Sequence, residues 1–214
     1  MLNNVRRRVR IWAPALLVGV VGSAPALIGT ASSTAAVAPC GPVAARTLAA
    51  DKVARVYTVG NSVYGCALGG KHPFKLGQRR TCIMASQVTT VAVAGRLAAY
   101  GLASCGVDTG STLVIVRRLD DGVQLHTFVA TSPAGPESYQ SVDSLVCKAD
   151  GAVAWIGTGS SLVGSRKLIE VRKGDRQGAA LLDSGPAIDA SSLRLHRSQL
   201  SWTHGGQTRT ATLQ

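Results

Sequence analysis

The sequence predicts an all-β fold, and three features of its 214 residues support this prediction. Beyond residue 40, short apolar or alternating segments are separated by Gly, Ser and Asp, as is typical of strands joined by turns. Sustained helical periodicity is absent, and the best helical stretch, residues 44–53, is short. A strand–turn–strand pattern also recurs along the chain. The content of 46% hydrophobic residues is sufficient for a buried core and argues against a disordered chain.

The recurring pattern is a strand-like run, a turn that contains Gly, Asp or Asn, and a second strand. Its copies are residues 95–101, 151–157 and 198–204, with a weaker copy at 61–66. The preceding runs are residues 88–94, 144–148, 191–196 and 55–59. Third strands are predicted at residues 112–118, 167–172, 209–213 and 73–76, and fourth strands at 124–130 and 179–182. The sequence therefore predicts about four units of antiparallel strands.

The spacing of these units is that of propeller blades. If Val63, Leu97, Val153 and Leu200 are equivalent, the units are 34, 56 and 47 residues apart. Propeller blades are four-stranded units of roughly 40–50 residues.

Three segments carry a family resemblance. The segment ADGAVAW at 149–155 and, less closely, AGRLAAY at 94–100 resemble the strand–turn–strand signature of TolB-like and WD40-like β-propeller blades. The segment TLVIVRRLDDG at 112–122 resembles the third strand and turn of such blades. The resemblance extends loosely over residues 54–214 and implies a propeller-like array of about four antiparallel blades, fewer than most of these propellers have.

Three arrangements are compatible with four units. They are a compact four-bladed ring, a partial ring completed by association between molecules, and a β-sandwich with coincidental repeats. Because end blades of a partial ring would expose apolar faces, closure is favoured, and residues 43–48 are expected to add an outer strand to the last unit.

The first 38 residues are expected to direct export. Four Arg residues within the first ten precede an apolar run at 11–29, and small uncharged residues follow, as in a secretory signal peptide. We expect a mature N-terminus between residues 32 and 40 and a secreted or cell-envelope location. The alternative is an uncleaved anchor, because roughly 19 apolar residues can span a bilayer. Residues 39–53 are assigned to a linker or closing strand, and 54–214 to the β-repeat domain.

The five Cys residues predict two disulfides and one spare thiol. Outside the cytoplasm such thiols usually oxidise, and Cys40 is the expected spare because it lies near the mature N-terminus. The other four allow three connectivities. Among these we favour Cys66–Cys82 and Cys105–Cys147. No Cys or His spacing is typical of a zinc site.

The net charge is +12, and it becomes +8 when the four leader Arg are removed, with 19 basic and 11 acidic residues. The densest basic patch outside the leader comprises Lys71, His72, Lys75, Arg79 and Arg80. Clustered cations attract phosphate and carboxylate polymers, so the patch is either a polyanion contact or a solvated loop. Nucleic-acid binding by stacking is not supported, because Phe74 is the only aromatic in this loop.

No catalytic motif, metal pair or phosphate-binding loop is present in the sequence, and no cofactor or metal is expected. The four histidines are expected to be surface or packed residues: His72, His126, His196 and His204. Trp155 and Trp202 occupy equivalent positions and are expected to pack between units, with ligand stacking as the alternative.

These observations predict a non-enzymatic extracellular binding module. Its expected partner is an extracellular protein or a polyanionic envelope polymer. Association between molecules is expected if the ring is incomplete, and membrane attachment only if the leader is retained. The alternative is a hydrolase or lyase that acts on envelope carbohydrate in the propeller channel. Asp143, Asp150 and Asp189 are the first carboxylates to consider, and such chemistry requires two of them to converge.

Overall fold

The computed structural model describes residues 40–70, 72–83, 85–107, 109–135, 137–161, 163 and 167–214. These residues form fifteen β-strands and no α-helix, so the all-β prediction is confirmed. The predicted leader at residues 1–38 and Lys71 of the basic patch lie outside the described residues. Within the described part of the chain, no helix has the length and apolar character that crossing a membrane requires.

The strands form four consecutive antiparallel meanders. The first meander contains β1 (Arg46–Ala50), β2 (Ala54–Val59), β3 (Ser62–Ala67) and β4 (Phe74–Gln78). The second contains β5 (Gln87–Ala94), β6 (Leu97–Cys105), β7 (Gly110–Arg118) and β8 (Gln124–Val129). The third contains β9 (Ser138–Cys147), β10 (Val153–Ser161), β11 (Lys167–Asp175) and β12 (Gly178–Ser184). The fourth contains β13 (Arg194–His196), β14 (Gln199–His204) and β15 (Gln207–Thr212).

The first two meanders are joined into one eight-stranded sheet by a single parallel pairing between Gln78 and Gln87. All other strand pairs are antiparallel neighbours in sequence. The predicted hairpins at 61–66, 95–101, 151–157 and 198–204 are therefore confirmed.

The first unit differs from the prediction. The best helical stretch, residues 44–53, contains β1, which pairs with β2 through Arg46–Thr58 and Ala50–Arg55. Pairing with a neighbouring strand overrides the helix preference of its Ala residues. Val63 consequently lies on the third strand of its meander, whereas Leu97 begins a second strand. The second strands of the four meanders begin 43, 56 and 46 residues apart.

The prediction that residues 43–48 complete the last unit is wrong, because β1 is the first strand of the first meander. In the described residues the fourth meander has three strands, and β15 is its edge. Its outward face is polar, because Thr208, Thr210 and Thr212 alternate with residues that face the third meander.

Apolar side chains pack between successive meanders in three clusters. Val56 and Tyr100 belong to the cluster between the first and second meanders. Trp155 lies in the cluster between the second and third, and Trp202 in the cluster between the third and fourth. Their exposures of 1% and 4% confirm the packing prediction for both tryptophans. Among the described residues, no apolar cluster joins the fourth meander to the first.

Two disulfides and one free Cys are present, as predicted, but the pairing differs. The bonds are Cys40–Cys66 and Cys82–Cys105, and Cys147 is free. The favoured pairs Cys66–Cys82 and Cys105–Cys147, with Cys40 spare, are therefore wrong. Two such bonds fit an oxidising extracellular environment.

Backbone pairing explains the observed connectivity. The Cys105 amide donates to the Cys82 carbonyl at 3.1 Å, next to a bridge between Ile83 and Cys105. Cys147 is at the end of β9 in the third meander, where it pairs with Val153. The order of cysteines in the sequence does not show that the segment around Cys82 returns to the end of β6.

Candidate functional site

The first meander region, residues 40–83, is strongly basic. It contains one acid, Asp51, and seven basic side chains: Arg46, Lys52, Arg55, Lys71, Lys75, Arg79 and Arg80. None of the six basic residues that the structure describes here forms an ion pair with a described carboxylate. All seven ion pairs of the described residues lie between residues 96 and 209.

The structure places three members of the predicted basic patch on β4 or directly after it. Lys75 lies opposite Tyr64 of β3, and Arg79 and Arg80 follow the strand. The Arg79 guanidinium donates to two backbone carbonyls of β5, at 2.8 and 3.3 Å. Within the described residues, the Lys75 and Arg80 side chains make no hydrogen bond, so both cations are available to a ligand.

Arg55 is held against the face that Tyr57 and Tyr64 form. Its guanidinium carbon lies 5.2 Å from the Tyr57 ring centroid, and the two tyrosine rings stack with centroids 5.9 Å apart. Arg55 also donates through Nε to Thr47 Oγ1 at 2.8 Å and through Nη1 to the Pro42 carbonyl at 3.1 Å. Arg55 therefore fixes the N-terminal segment to the sheet.

Two further unpaired cations of the first meander, Arg46 and Lys52, are not apparent from the sequence cluster at 71–80. Both are separated in sequence from the 71–80 cluster, and neither side chain makes a hydrogen bond or ion pair with another described residue. They become apparent when charges are counted within the first meander region, because residues 40–83 have six more basic than acidic residues.

Two cations of the third meander, in contrast, are neutralised. Arg172 donates to Glu170 at 2.7 Å, and Lys173 donates to Asp175 at 2.8 Å. Burial raises the pKa of Glu170, but the hydrogen bond from Arg172 and the amide of Ser132 outweigh it and lower the pKa. These cations are engaged with the protein's own carboxylates.

A buried carboxylate, Asp183 of β12, joins the third meander to the fourth. It accepts hydrogen bonds from Trp202 Nε1 at 2.7 Å, His204 Nδ1 at 2.9 Å and Arg209 Nη1 at 2.7 Å. Burial raises the pKa of Asp183, but the hydrogen bonds from Trp202 and His204 and the neighbouring charges outweigh it and lower the pKa. This group is not apparent from the sequence, because the three donors are 19 to 26 residues from Asp183 and meet it only when the third and fourth meanders pack together.

Each of the three carboxylates considered for carbohydrate chemistry is engaged by its own local partners. Asp143 accepts hydrogen bonds from Ser141 and Thr158 at 2.8 and 2.6 Å. Asp150 forms an ion pair with Lys148 at 3.1 Å. Asp189 accepts hydrogen bonds from the amide and the hydroxyl of Ser191. Asp143 and Asp150 line separate cavities.

One small cavity of about 110 Å³ brings His126 together with Asp150 and Asp175. Both carboxylates are in ion pairs with lysines. Burial opposes their ionisation, but backbone and lysine hydrogen bonds outweigh burial and lower the pKa of each. A general acid needs a pKa near the working pH, so these two carboxylates are poor proton donors at neutral pH.

A larger cavity of about 490 Å³ lies where the four meanders converge. Residues of the first strands β1, β5, β9 and β13 line it, including Ala49, Val93, Leu145 and Leu195. Its described lining contains neither a carboxylate nor a histidine. The acid–base groups that a carbohydrate hydrolase requires are therefore not provided by these residues.

No group of three or more metal-ligating side chains is assembled within the described part of the chain. No protein-family model matches the chain, and no curated protein matches it in sequence.

Proposed function

We propose that this chain is an exported, non-enzymatic binding module, built as a propeller-like array of four units, that holds an anionic envelope polymer on its first meander. The observation that carries the proposal is the set of six described basic residues at 40–83 without a carboxylate partner. Export is supported by the signal-like leader and by the two disulfides.

The distribution of charge supports a polyanionic ligand. Unpaired cations within one meander sum to a positive potential that attracts polyanions. Arg55 and Arg79 donate to the protein's own carbonyls, whereas the Arg46, Lys52 and Lys75 side chains have no partner among the described residues. Such free cations can each contact a phosphate or carboxylate of a polymer.

The strand arrangement supports the propeller-like array. Three meanders have four strands and the fourth has three, and each packs on the next through an apolar cluster. The first strand of every meander contributes to one shared cavity, as the innermost strands of propeller blades do. A rigid array of this kind presents loops and faces for binding.

The proposal is tested by measuring the affinity of the purified protein for labelled polyphosphate and for polygalacturonate by fluorescence anisotropy. We expect binding that weakens as salt increases, because the contacts are ionic. The double variant Lys75→Gln/Arg80→Gln is expected to bind about tenfold more weakly.

The matched control is Arg96→Gln/Arg118→Gln, which removes the same charge from cations that pair with Asp120 and Asp121. Its affinity should stay within about twofold of the parent, because these cations are already neutralised. Equal losses in the two double variants, or equal binding of uncharged dextran, would show that the first meander is not the polymer site.

A further inference from the structure

The cavity at the convergence of the four meanders is open to solvent, and its walls are apolar. Ala49, Val93 and Leu195 are partly exposed to it, and Leu145 lies at its wall. A volume of about 490 Å³ is within the range of small-molecule sites, which are mostly apolar with a few polar groups.

Arg194 provides a cation at this cavity. Its Nη1 donates to the carbonyls of Ser191 and Leu193, both at 2.8 Å, and these bonds hold the guanidinium in place. No described carboxylate forms an ion pair with it, and Asp189 interacts with its charge only, without direct contact. The remaining donors, Nε and Nη2, have no partner among the described residues. A guanidinium with two free donors matches the two oxygens of a carboxylate.

Cys147 completes the apolar wall. Its thiol lies 3.3 Å from the Lys148 carbonyl oxygen. Burial, with a smaller contribution from the charge of Asp150, raises the pKa of Cys147 to about 12. The thiol is therefore neutral at physiological pH, so it adds no negative charge that would repel an anion.

We propose that this cavity binds a single-chain amphiphile with an anionic head, such as an aliphatic carboxylate, with the alkyl chain between the first strands and the carboxylate on Arg194. The charge of Arg194 selects the anionic head, and the absence of other charged side chains from the described lining selects the alkyl chain. This site does not include the unpaired basic residues of the first meander and does not depend on the polymer-binding proposal.

The first experiment uses the unmodified protein with both disulfides intact. Cys147 is its only free thiol, because the other four Cys are bridged. Dodecanoate, kept below its aggregation concentration, is expected to slow alkylation of Cys147 by N-ethylmaleimide at least fivefold, measured by intact mass. Acetate and dodecyltrimethylammonium should have no such effect. Alkylation at an unchanged rate in saturating dodecanoate would overturn the proposal without any need for a variant.

The second experiment measures dodecanoate and decanol binding by calorimetry. Arg194→Gln should weaken dodecanoate binding about tenfold and leave decanol binding unchanged, because a charge-assisted contact is lost. Val93→Trp, which fills the cavity, should abolish binding of both. Val129→Trp is the control, since Val129 is 54% exposed on β8. Unchanged dodecanoate binding by folded Val93→Trp would exclude this cavity, and unchanged binding by Arg194→Gln would exclude the anionic head.

Discussion

The first and fourth meanders of the described chain each pack through an apolar cluster against one neighbouring meander only. Their outer faces differ in what covers them. The first meander carries Tyr57 on its outer face, and this side chain is only 2% exposed because the N-terminal segment covers it. The fourth meander presents hydroxyl side chains on its outer face and leaves them exposed. One end of this array of β-units is therefore covered by a disulfide-linked N-terminal segment, and the other end is a polar surface.

Close packing and a disulfide hold the N-terminal segment against the outer face of the first meander. Gly41 has φ +83° and lies so close to the Tyr57 ring that an added Cβ would be 2.4 Å from it. Only Gly fits this position, because it tolerates positive φ and has no Cβ. The Cys40–Cys66 bond then ties the segment to β3.

The inner side of the fourth meander depends on polar contacts as well as on apolar packing. Trp202 packs in the cluster with the third meander and donates to Asp183 at 2.7 Å. Lys148 and Lys173 donate to the carbonyls of Leu213 and Thr212 at 3.2 and 3.1 Å. The two ends thus differ in both charge and bonding.

The largest expected effect in this comparison is that of Trp202→Ala at the fourth meander. The free energy of unfolding should fall by about 3–5 kcal/mol, because a buried aromatic ring is lost and Asp183 loses a donor. Denaturant titration measures it. Trp202→Phe, which keeps most of the ring, should lose less. Leu181→Ala, at a 51% exposed site, should change stability by no more than about 0.5 kcal/mol. A Trp202→Ala loss as small as that would contradict the packing assignment.

The second effect concerns the first meander. The double variant Cys40→Ser/Cys66→Ser opens a loop with a sequence separation of 26. It should cost about 2–4 kcal/mol, the usual effect of a disulfide. Hydrogen exchange should locate the loss of protection in β2 and β3 and leave the fourth meander unchanged. Cys147→Ser is the control, because Cys147 forms no bridge. Loss of protection spread evenly over all four meanders would show that the disulfide does not act locally.

The sequence is informative about local features and less so about pairing between distant segments. Alternation and turn residues predict the number and order of β5 to β12, whereas β6, β9 and β10 each extend beyond the predicted residues. The buried positions of Trp155 and Trp202 follow from their register. The Ala-rich β1 is not predicted as a strand, because its conformation comes from pairing with β2. Disulfide connectivity is set by the same tertiary contacts. The Asp183 group and the cavity depend on which faces meet, which local patterns do not encode.

The smallest expected effect is the response of the fourth meander to acid. The pKa of Asp183 is lowered in the folded protein, because the hydrogen bonds and charges around it outweigh the opposing effect of burial. A carboxyl with a lowered folded pKa stabilises the fold above its unfolded pKa, about 3.9 for Asp, and this contribution is lost as the pH falls through the folded pKa. Stability should therefore decrease below about pH 4, with loss of hydrogen-exchange protection in β14 and β15.

The variant Asp183→Asn separates this group from the other carboxylates. It should be less stable than the parent at pH 7, because the buried partners of the carboxylate lose a charged acceptor, and its stability should change less with pH between about pH 5 and 2. Asp51→Asn, in the first meander, is the matched control and should leave the acid response of β14 and β15 as it is in the parent. If Asp183→Asn kept the full acid response of the fourth meander, the ionised Asp183 would not be what joins that meander to the third, and the apolar cluster around Trp202 alone would account for the contact.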